Sequence, residues 1–199
     1  MGVDVDLRAY RKRKTREAII AAAVELVRRR GVSAASVGAV MARAGLTVGG
    51  FYAHFRSKQE LATTAIRRAF SEHREALFNG IAEHNSAERY DLAVRRYLSR
   101  QHRDFKNIGC PLPACLTDAA TESGPIRDAI SDGVNELTKQ LLPLFVDNDK
   151  LTSRQRALAT TAALVGALAI ARATAGSDLS DEVLLATRKL LFEIKGKRS

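Results

Sequence analysis

The stretch AGLTVGGFYAHFRSK, residues 44 to 58, combines two adjacent glycines with aromatic and basic side chains. Gly49 and Gly50 cost a helix about 1 kcal/mol each in propensity, so a helical pattern that contains both needs a reason for them. One reason is close approach to a large partner, because the major groove of DNA, about 12 Å wide, accepts an α-helix. The other is close packing against a helix of the same chain. The residues alone leave both interpretations open.

The side chains around the glycines favour a nucleic-acid partner. The Tyr52 ring and hydroxyl can contact a base or a phosphate, and Thr47, His54 and Lys58 can contact the phosphate backbone. On a helical wheel of residues 46 to 55, the apolar side that we expect to pack on the preceding helices holds Leu46, Val48, Phe51 and Phe55. The opposite side holds Gly49, Gly50 and Ala53. With few side chains left to read bases, sequence choice is expected to depend partly on DNA shape.

Short helices must position this stretch. Apolar residues recur every three or four positions and all four prolines lie beyond residue 110, which predicts an all-α chain. A first helix is predicted from Thr15 to Arg30 with Gly31 as its stop, and a second follows Ser36, a good N-cap. The third runs from Thr47 to Arg56. The second and third then form a helix-turn-helix around Gly45.

Longer helices are predicted beyond residue 57. Ser57 starts a fourth helix with a capping box, in which Glu60 accepts a hydrogen bond from the backbone amide of Ser57. Ser180 is predicted to cap the last helix, for a total of about nine. The predicted ranges are 58–79, 86–107, 112–121, 125–145, 152–175 and 181–195. The domains are then a basic flexible arm at 1–14, a helix-turn-helix domain at 15–60 and a larger helical domain at 61–199.

Positive charge is concentrated at the N-terminal end. The 199 residues carry a net charge of +10, and residues 1 to 60 contribute +7 of it, from 12 Lys or Arg against 5 Asp or Glu. Such a protein is expected to bind a polyanion. The densest basic run either is a solvated tail or follows DNA phosphates and makes binding strongly salt-dependent. That run consists of Arg11, Lys12, Arg13 and Lys14.

Residues 15 to 66 resemble the N-terminal domain of the TetR family of bacterial transcriptional regulators. The resemblance covers about a quarter of the chain and lies in Ala22-Ala23, Leu26, Gly31, Ser36-Val37, Ala44-Gly45, Phe51-Tyr52, His54-Phe55 and Ser57-Lys58. It implies a homodimer that binds a palindromic operator on double-stranded DNA, usually as a repressor. It also implies that a small-molecule effector binds the C-terminal domain and releases the DNA.

The resemblance implies which residues contact DNA. The positions where family members commonly touch DNA are occupied here by Ser36, Thr47, Tyr52, His54 and Lys58. The groove-facing start of the recognition helix is occupied by Val48, Gly49 and Gly50. Gly38 departs from the pattern, because many members have a polar or charged residue near a phosphate there. A contact is expected to be missing at that position.

The mechanism itself requires two copies of the chain. A two-fold operator needs two recognition helices about 34 Å apart, which one helix-turn-helix cannot supply. The family places a four-helix dimer interface in the last two helices, here 152–175 and 181–195. Their small or apolar residues are Ala163, Gly166, Ala167, Ala171, Val183, Leu184, Leu190, Leu191 and Ile194. The alternative is that these helices form ordinary core within one chain.

An effector pocket is predicted among the helices between residues 61 and 150. Pockets are mostly lined by apolar and aromatic side chains, so an apolar or aromatic small molecule is expected. The candidate lining residues are Phe78, Tyr90, Tyr97, Phe105, Cys110, Leu116 and Phe145, each with plain core packing as the alternative. Candidates for orienting the molecule are Arg96, Arg100, Asp118 and Glu122, although solvated helix faces explain these four better.

The segment NIGCPLPACLTDAA, residues 107 to 120, contains the only two cysteines. Its Gly-Cys-Pro element before the sixth helix resembles a subgroup of TetR-like regulators, some of which respond to aromatic compounds or electrophiles through a cysteine. Cys110 precedes a helix predicted to begin near Pro111, and a helix N-terminus lowers a thiol pKa. The alternative is a buried inert thiol, which is also the expectation for Cys115.

An enzyme is not expected, because the sequence contains no P-loop, no GxGxxG after a strand, no GxSxG and no HExxH. His73 and His84 lie about 16 Å apart along one helix, too far to bind one metal, and no cofactor is expected. The N-terminus lacks the apolar segment of a signal peptide, and residues 157–174 are too rich in Ala and Thr to span a membrane. A cytoplasmic protein without a membrane partner is therefore predicted.

Two other functions stay open from the sequence. One is a thiol-based redox or electrophile sensor. The other is a helical ligand-binding protein whose basic tail binds nucleic acid without sequence preference.

Overall fold

A computed structural model of the protein describes residues 2–105, 107–122, 124–145 and 151–196. Within these ranges the chain is helical, without β-strands, and the predicted all-α fold with an N-terminal helix-turn-helix is confirmed. Two 3-10 helices occur at Val48–Ala53 and Leu142–Leu144. The α-helices are α1 (Gly2–Arg30), α2 (Val37–Arg43), α3 (Lys58–Phe78), α4 (Ser86–Tyr97), α5 (Arg100–Asp104), α6 (Leu112–Thr121), α7 (Pro125–Leu141), α8 (Ser153–Ala173) and α9 (Asp178–Gly196).

Helix α1 begins earlier than the sequence pattern predicted. It starts at Gly2 instead of Thr15, so the basic run at 11–14 continues the helix. Arg and Lys are good helix formers, which explains why polar residues extend the apolar repeat. The predicted stop is confirmed, because Gly31 follows the helix with φ +85°. A Cβ on Gly31 would lie 2.5 Å from the backbone oxygen of Ala114 in α6, so the close approach of α6 also requires glycine.

Helix caps fix the start of α2 and α3. The Ser36 Oγ accepts a hydrogen bond from the Ala39 amide at 3.2 Å, as predicted for an N-cap. The Ser57 Oγ accepts from the Glu60 amide at 3.0 Å. The predicted return bond was wrong, because Glu60 accepts from the amide of Arg56, at 2.7 Å, and not from that of Ser57. The reciprocal cap therefore reaches one residue further back.

Two of the long predicted helices are interrupted. The predicted helix 86–107 is two helices, because Leu98 has a non-helical backbone and the Ser99 Oγ caps α5 by accepting from the His102 amide at 3.0 Å. The predicted helix 125–145 ends at Leu141 and continues as a 3-10 turn, where Pro143 lacks the amide needed for an α-helical bond. Both breaks come from local side-chain chemistry.

The last helix starts earlier than predicted, at Asp178, so the prediction that Ser180 caps it was wrong. Ser180 lies inside α9 and is fully buried, and its Oγ donates to the Ala171 oxygen at 2.6 Å. Its Oγ also accepts from the Arg103 Nη1 at 2.9 Å. Ser180 therefore joins α9 to α8 and α5.

One continuous core connects the N-terminal helices with the rest of the described chain. Helix α1 packs on α3 and α6, α3 packs on α7, and α8 packs on α9. Helix α8 is the one described helix that is long and apolar enough to cross a membrane, with a mean hydropathy of 1.3. Packing inside the protein explains part of this apolar character, because 44% of the most apolar stretch of α8 is buried.

Candidate nucleic-acid interface

A tight turn holds α2 against the 3-10 helix Val48–Ala53. The turn uses Gly45 with φ +71°, a conformation that side chains other than glycine rarely adopt. The Leu46 amide donates to the Met41 oxygen at 2.8 Å, and the Gly45 amide donates to the Ala42 oxygen at 3.1 Å. These bonds satisfy the end of α2 and fix the direction in which the next helix leaves.

Two phenylalanines anchor the 3-10 helix in the core. Phe51 and Phe55 are 0% and 1% exposed, and their rings stack with centroids 5.8 Å apart. Tyr52 contacts the edge of the Phe51 ring at 5.1 Å, yet 74% of it is exposed. The core therefore fixes the base of the Tyr52 side chain and leaves most of it, with the hydroxyl, in solvent.

The two glycines are not needed for packing within the chain. A Cβ on Gly49 would meet no atom within 4 Å, and one on Gly50 would meet only the Met41 Cε, at 3.8 Å. Both positions leave room for a side chain, so close packing against a neighbouring helix does not explain either glycine. The bare backbone instead faces solvent beside Tyr52. This is the surface expected of a helix that approaches a large partner closely.

The predicted α-helix from Thr47 to Arg56 is a six-residue 3-10 helix in the structure. The wheel of 100° per residue therefore does not apply, because a 3-10 helix turns by about 120° per residue. The prediction that Val48 packs on the core was wrong, since Val48 starts the helix and is 52% exposed. Val48 thus joins Gly49, Gly50 and Tyr52 on the open surface.

His54 lies where α1 meets the 3-10 helix, and it is half-buried. Burial lowers its pKa, and the positive charges of Lys12 and Arg16 lower it further. Its Nδ1 is buried without a hydrogen-bond partner in the described chain. The Arg16 guanidinium lies 4.7 Å from the centre of the Phe55 ring. His54 therefore contributes a neutral imidazole, and the positive charge beside the 3-10 helix comes from α1.

The remaining predicted contact residues are exposed around this surface. Within the basic run of α1, Lys12 is the residue that the structure brings beside His54. Thr47 caps the 3-10 helix without a side-chain hydrogen bond to it, and Lys58 is the first residue of α3. The exposed residues are Arg11, Lys12, Arg13, Lys14, Ser36, Thr47 and Lys58.

An ion pair that sequence reasoning missed orients α2. Arg43 contacts both carboxylate oxygens of Glu25, with Nη2 to Oε1 at 2.6 Å and Nε to Oε2 at 2.8 Å. The hydrogen bond from Arg43 lowers the pKa of Glu25. Because the two residues are 18 apart and both are exposed in part, no periodic pattern could have paired them.

Residues 19–65 match the family model described as "Bacterial regulatory proteins, tetR family". This part of the chain is similar to the N-terminal domain of the TetR family. The match covers α2, the turn and the 3-10 helix, which are the elements that form the exposed surface around Tyr52. The helix-turn-helix identified by geometry therefore lies within the segment that matches the family model.

Solved structures of TetR-family regulators share the fold over nearly the whole chain. A regulator from Chloroflexus aurantiacus is 21% identical, with a TM-score of 0.80, and the match covers 94% of this chain and 97% of that one. One from Rhodococcus sp. is 17% identical, with a TM-score of 0.72 and coverage of 91% and 98%. NemR of E. coli in its reduced form is 19% identical, with a TM-score of 0.72 and coverage of 88% and 96%. Among curated proteins, none matches the sequence.

The seven predicted pocket residues are not among the lining residues of the two open cavities that the structure describes. Phe105 and Leu116 are 61% and 45% exposed, whereas Tyr90, Tyr97 and Cys110 are buried. Phe78 and Phe145 are half-buried, and the Phe145 ring contacts Tyr90 at 5.4 Å. Two open cavities of about 620 Å³ and 450 Å³ lie elsewhere and are lined by other residues.

A buried polar cluster that the sequence did not reveal lies under the smaller cavity. The rings of His73 and His102 stack with centroids 5.0 Å apart, and Tyr97 meets the His102 ring edge-on at 4.6 Å. The His102 Nδ1 lies 2.7 Å from the Tyr97 oxygen, and the Cys110 amide donates to Nε2 at 2.9 Å. A proton on Nδ1 satisfies both bonds, so His102 is neutral. Burial lowers the pKa of His102 to about 4.

Two arginines enclose this cluster, of which Arg28 is buried and Arg172 is half-buried. Arg28 of α1 donates to the Asn107 oxygen at 2.7 Å and the Ala69 oxygen at 2.9 Å, and it pairs with Glu72 at 3.0 Å. Arg172 of α8 donates to the His102 oxygen at 3.0 Å. Burial lowers the pKa of both guanidinium groups. The segment before α6 is thus held by side chains from α1 and α8.

Cys110 does not have the activated thiol that a position before a helix suggested. It is 0% exposed, and burial raises its pKa, which outweighs the lowering by nearby Tyr97 and by the Leu112 amide. Cys115 is 1% exposed, and burial raises its pKa to about 12. Of the two alternatives for Cys110, the structure favours the buried inert thiol, because the low-dielectric core disfavours the charge more than the helix end stabilises it.

Both thiols are therefore expected to resist modification in the folded protein. With Ellman's reagent at pH 8, we expect less than about a tenth of the thiols to react within minutes, and both to react after unfolding in guanidinium chloride. A Cys115→Ala variant separates the two sites, because any remaining fast reaction then belongs to Cys110. Rapid reaction of folded Cys110 would contradict the assignment of an inert buried thiol.

Proposed function

We propose that this chain is a dimeric transcriptional regulator that binds a palindromic operator and releases it when a small molecule binds the C-terminal domain. The observation that carries the proposal is the surface formed by Val48, Gly49, Gly50 and Tyr52, which is exposed in the part of the chain that the structure describes. The match of residues 19–65 to the TetR-family model supports repression as the mode of action. A regulator of this kind is non-enzymatic, needs no cofactor and works in the cytoplasm.

In the proposed complex, the 3-10 helix enters the major groove with the glycine backbone against its wall. Tyr52 supplies the base contact. Phosphates are contacted by Ser36, Thr47 and Lys58 and by the basic run Arg11, Lys12, Arg13 and Lys14. His54 is neutral, so its contribution is a hydrogen bond at the groove edge instead of charge.

Exposed apolar side chains on the last two helices support the homodimer. Leu158 and Ile170 of α8 and Leu185, Leu190 and Ile194 of α9 are between 37% and 54% exposed. Residues of the same helices that face inward, such as Leu168 and Leu184, are buried in the chain. Two copies that join these exposed faces would form a four-helix interface and place two recognition helices on one face of DNA.

A redox or electrophile sensor is less well supported, because both thiols are buried with raised pKa values. A protein with only non-specific nucleic-acid binding would not need the exposed Tyr52 beside two bare glycines. Selection of binders from a random duplex pool at about 150 mM salt distinguishes these functions, since this salt concentration suppresses much non-specific binding. An enriched two-fold symmetric sequence is expected, and enrichment of no sequence would contradict the proposal.

Replacing Tyr52 with alanine is expected to weaken binding to the selected operator about tenfold to a hundredfold, because one base contact contributes about 1 to 3 kcal/mol. The melting temperature should change little, since Tyr52 is 74% exposed. Phe105→Ala is the matched control, because Phe105 is an aromatic residue that is 61% exposed in the C-terminal domain. Fluorescence anisotropy with labelled operator measures both variants. Full affinity after Tyr52→Ala would contradict the assigned base contact.

A further inference from the structure

An open cavity of about 450 Å³ lies between α3, α4 and α5. Its walls combine apolar and positively charged side chains. They include Leu77, Ile108, His73, His102, Arg95 and Arg96. None of the described lining residues is acidic, so the two arginines carry the whole charge of the wall. The other described cavity differs, because Asp132 and Glu136 lie among its basic residues.

The two arginines are held in place without a carboxylate. Arg96 donates from Nη1 to the backbone oxygens of Leu77 at 3.0 Å and Asn79 at 2.6 Å, at the C-terminal end of α3. The Arg95 guanidinium lies 4.9 Å from the centre of the Phe192 ring. In the part of the chain that the structure describes, the recorded partners of the two guanidinium groups are these backbone oxygens and this ring, which leaves donor groups for an anion.

We propose that this cavity binds a small aromatic carboxylate, and that this molecule is the effector of the proposed regulator. The carboxylate would accept charge-assisted hydrogen bonds from Arg95 and Arg96, which are about twice as strong as neutral ones. The aromatic ring would pack on Leu77, Ile108 and the stacked imidazoles. Burial lowers the pKa of both histidines, so they form a neutral aromatic wall rather than further cations.

The cavity is connected to the DNA-binding domain through residues 107–110. Ile108 lines the cavity, and the neighbouring Asn107 oxygen accepts the 2.7 Å hydrogen bond from Arg28 of α1. On the other side of Ile108, the Cys110 amide donates to His102, which also lines the cavity. A ligand that displaces Ile108 or His102 therefore acts on a segment bonded directly to α1. This link gives the occupied cavity a route to the 3-10 helix, because Lys12 and Arg16 of α1 lie beside His54.

Isothermal titration of the full chain with benzoate and with benzamide tests the proposed ligand class. The two probes have the same ring and nearly the same shape, and only benzoate carries the negative charge. We expect benzoate to bind at least tenfold more tightly than benzamide. Arg95→Gln and Arg96→Gln should each weaken benzoate at least fivefold and leave benzamide unchanged. Arg100→Gln is the control, because Arg100 pairs with Asp181 and does not line the cavity.

Equal binding of the two probes, binding of neither, or full benzoate affinity in both arginine variants would overturn the proposed site. Circular dichroism checks that each variant is folded, and Arg95→Gln alone suffices if loss of the Arg96 bonds to α3 disrupts the fold. Only the role of the bound carboxylate as an effector rests on the proposed function. Benzoate that binds more tightly than benzamide and depends on the two arginines, but does not weaken operator binding, would support the site and overturn its regulatory role. Failure to select any operator would instead contradict the proposed regulator.

Discussion

Replacing Leu190 with glutamate is expected to make the protein monomeric and to lower operator affinity by about a hundredfold or more. Leu190 is 54% exposed on α9, close in sequence to Ile194 and Leu185, which are also exposed. In the proposed four-helix interface these side chains are buried by the second copy. An unpaired carboxylate in such an interface costs several kcal/mol, because it loses its hydration without a partner charge.

The loss of operator affinity follows from the loss of the second half-site. Two linked recognition helices bind a two-fold site up to about 10² to 10⁴ times more tightly than one. Analytical ultracentrifugation at about 10 μM measures the oligomeric state, and anisotropy with the selected operator measures affinity. Leu116→Glu is the matched control, because Leu116 is 45% exposed on α6, outside the proposed interface. A Leu190→Glu protein that stays dimeric would contradict the assignment of α8 and α9 to the interface.

The parts of the fold that the sequence predicted are those set by local patterns. The all-α class, the stop at Gly31 and the N-caps Ser36 and Ser57 depend on residues within a few positions of one another. Phe51 and Phe55 were predicted as core from an α-helical wheel, and both are buried in the structure although the segment is a 3-10 helix. Local chemistry was sufficient at each of these positions.

The errors occurred where a local sequence signal did not decide the structure. The wheel for residues 46 to 55 assumed an α-helix, and the tighter 3-10 helix left Val48 at its exposed end. Ser180 has the chemistry of an N-cap, yet its hydroxyl bonds to Ala171 in α8, and α9 starts before it. Cys110 does precede a helix, but burial determines its pKa. Tertiary contacts decided the outcome at Ser180 and Cys110, whereas the 3-10 geometry decided it at Val48.

The buried polar cluster could not be predicted from sequence, because its members are far apart in the chain. Arg28 bonds to Ala69 and Asn107, which lie 41 and 79 residues away. Arg172 reaches His102 across 70 residues. Periodicity identifies which face of a helix is apolar, and it does not identify a charged residue that is buried by partners on other helices. Arg28 was accordingly indistinguishable from its exposed neighbours Arg29 and Arg30.

Lowering the pH from 7 to about 4.5 is expected to destabilise the fold by about 2 to 3 kcal/mol through His102 alone. The pKa of His102 is lowered from its usual 6.5 to about 4, chiefly by burial and also by the nearby charge of Arg172. Above pH 6.5 the ring is neutral in both the folded and the unfolded chain, and stability is fully present. Between pH 6.5 and 4 the unfolded chain binds a proton that the folded chain does not, so the free energy of unfolding falls.

The same sign applies to His73, because its pKa is lowered well below 6.5 by burial, by His102 and by the charges of Arg28 and Arg172. A proton on either ring would face these two cations, and a proton on His102 Nε2 would also lose the bond from the Cys110 amide. Acid is therefore expected to destabilise the segment that links the cavity to α1. The predicted decline comes from the histidines and not from surface carboxylates, whose lowered pKa values act at more acidic pH.

Urea unfolding at pH steps from 7.5 to 4.5 measures this dependence, and His102→Gln identifies its origin. The glutamine of this variant cannot bind a proton, and its free energy of unfolding should start lower at pH 7.5. Between pH 6.5 and 4 that free energy should also decline less steeply with falling pH, because up to one proton fewer is bound on unfolding. Gln101→Ala is the control, because the neighbouring exposed residue carries no titrating group and should keep the wild-type slope. Equal slopes in the wild type and His102→Gln would contradict a buried neutral His102 and, with it, the uncharged aromatic wall of the proposed carboxylate site.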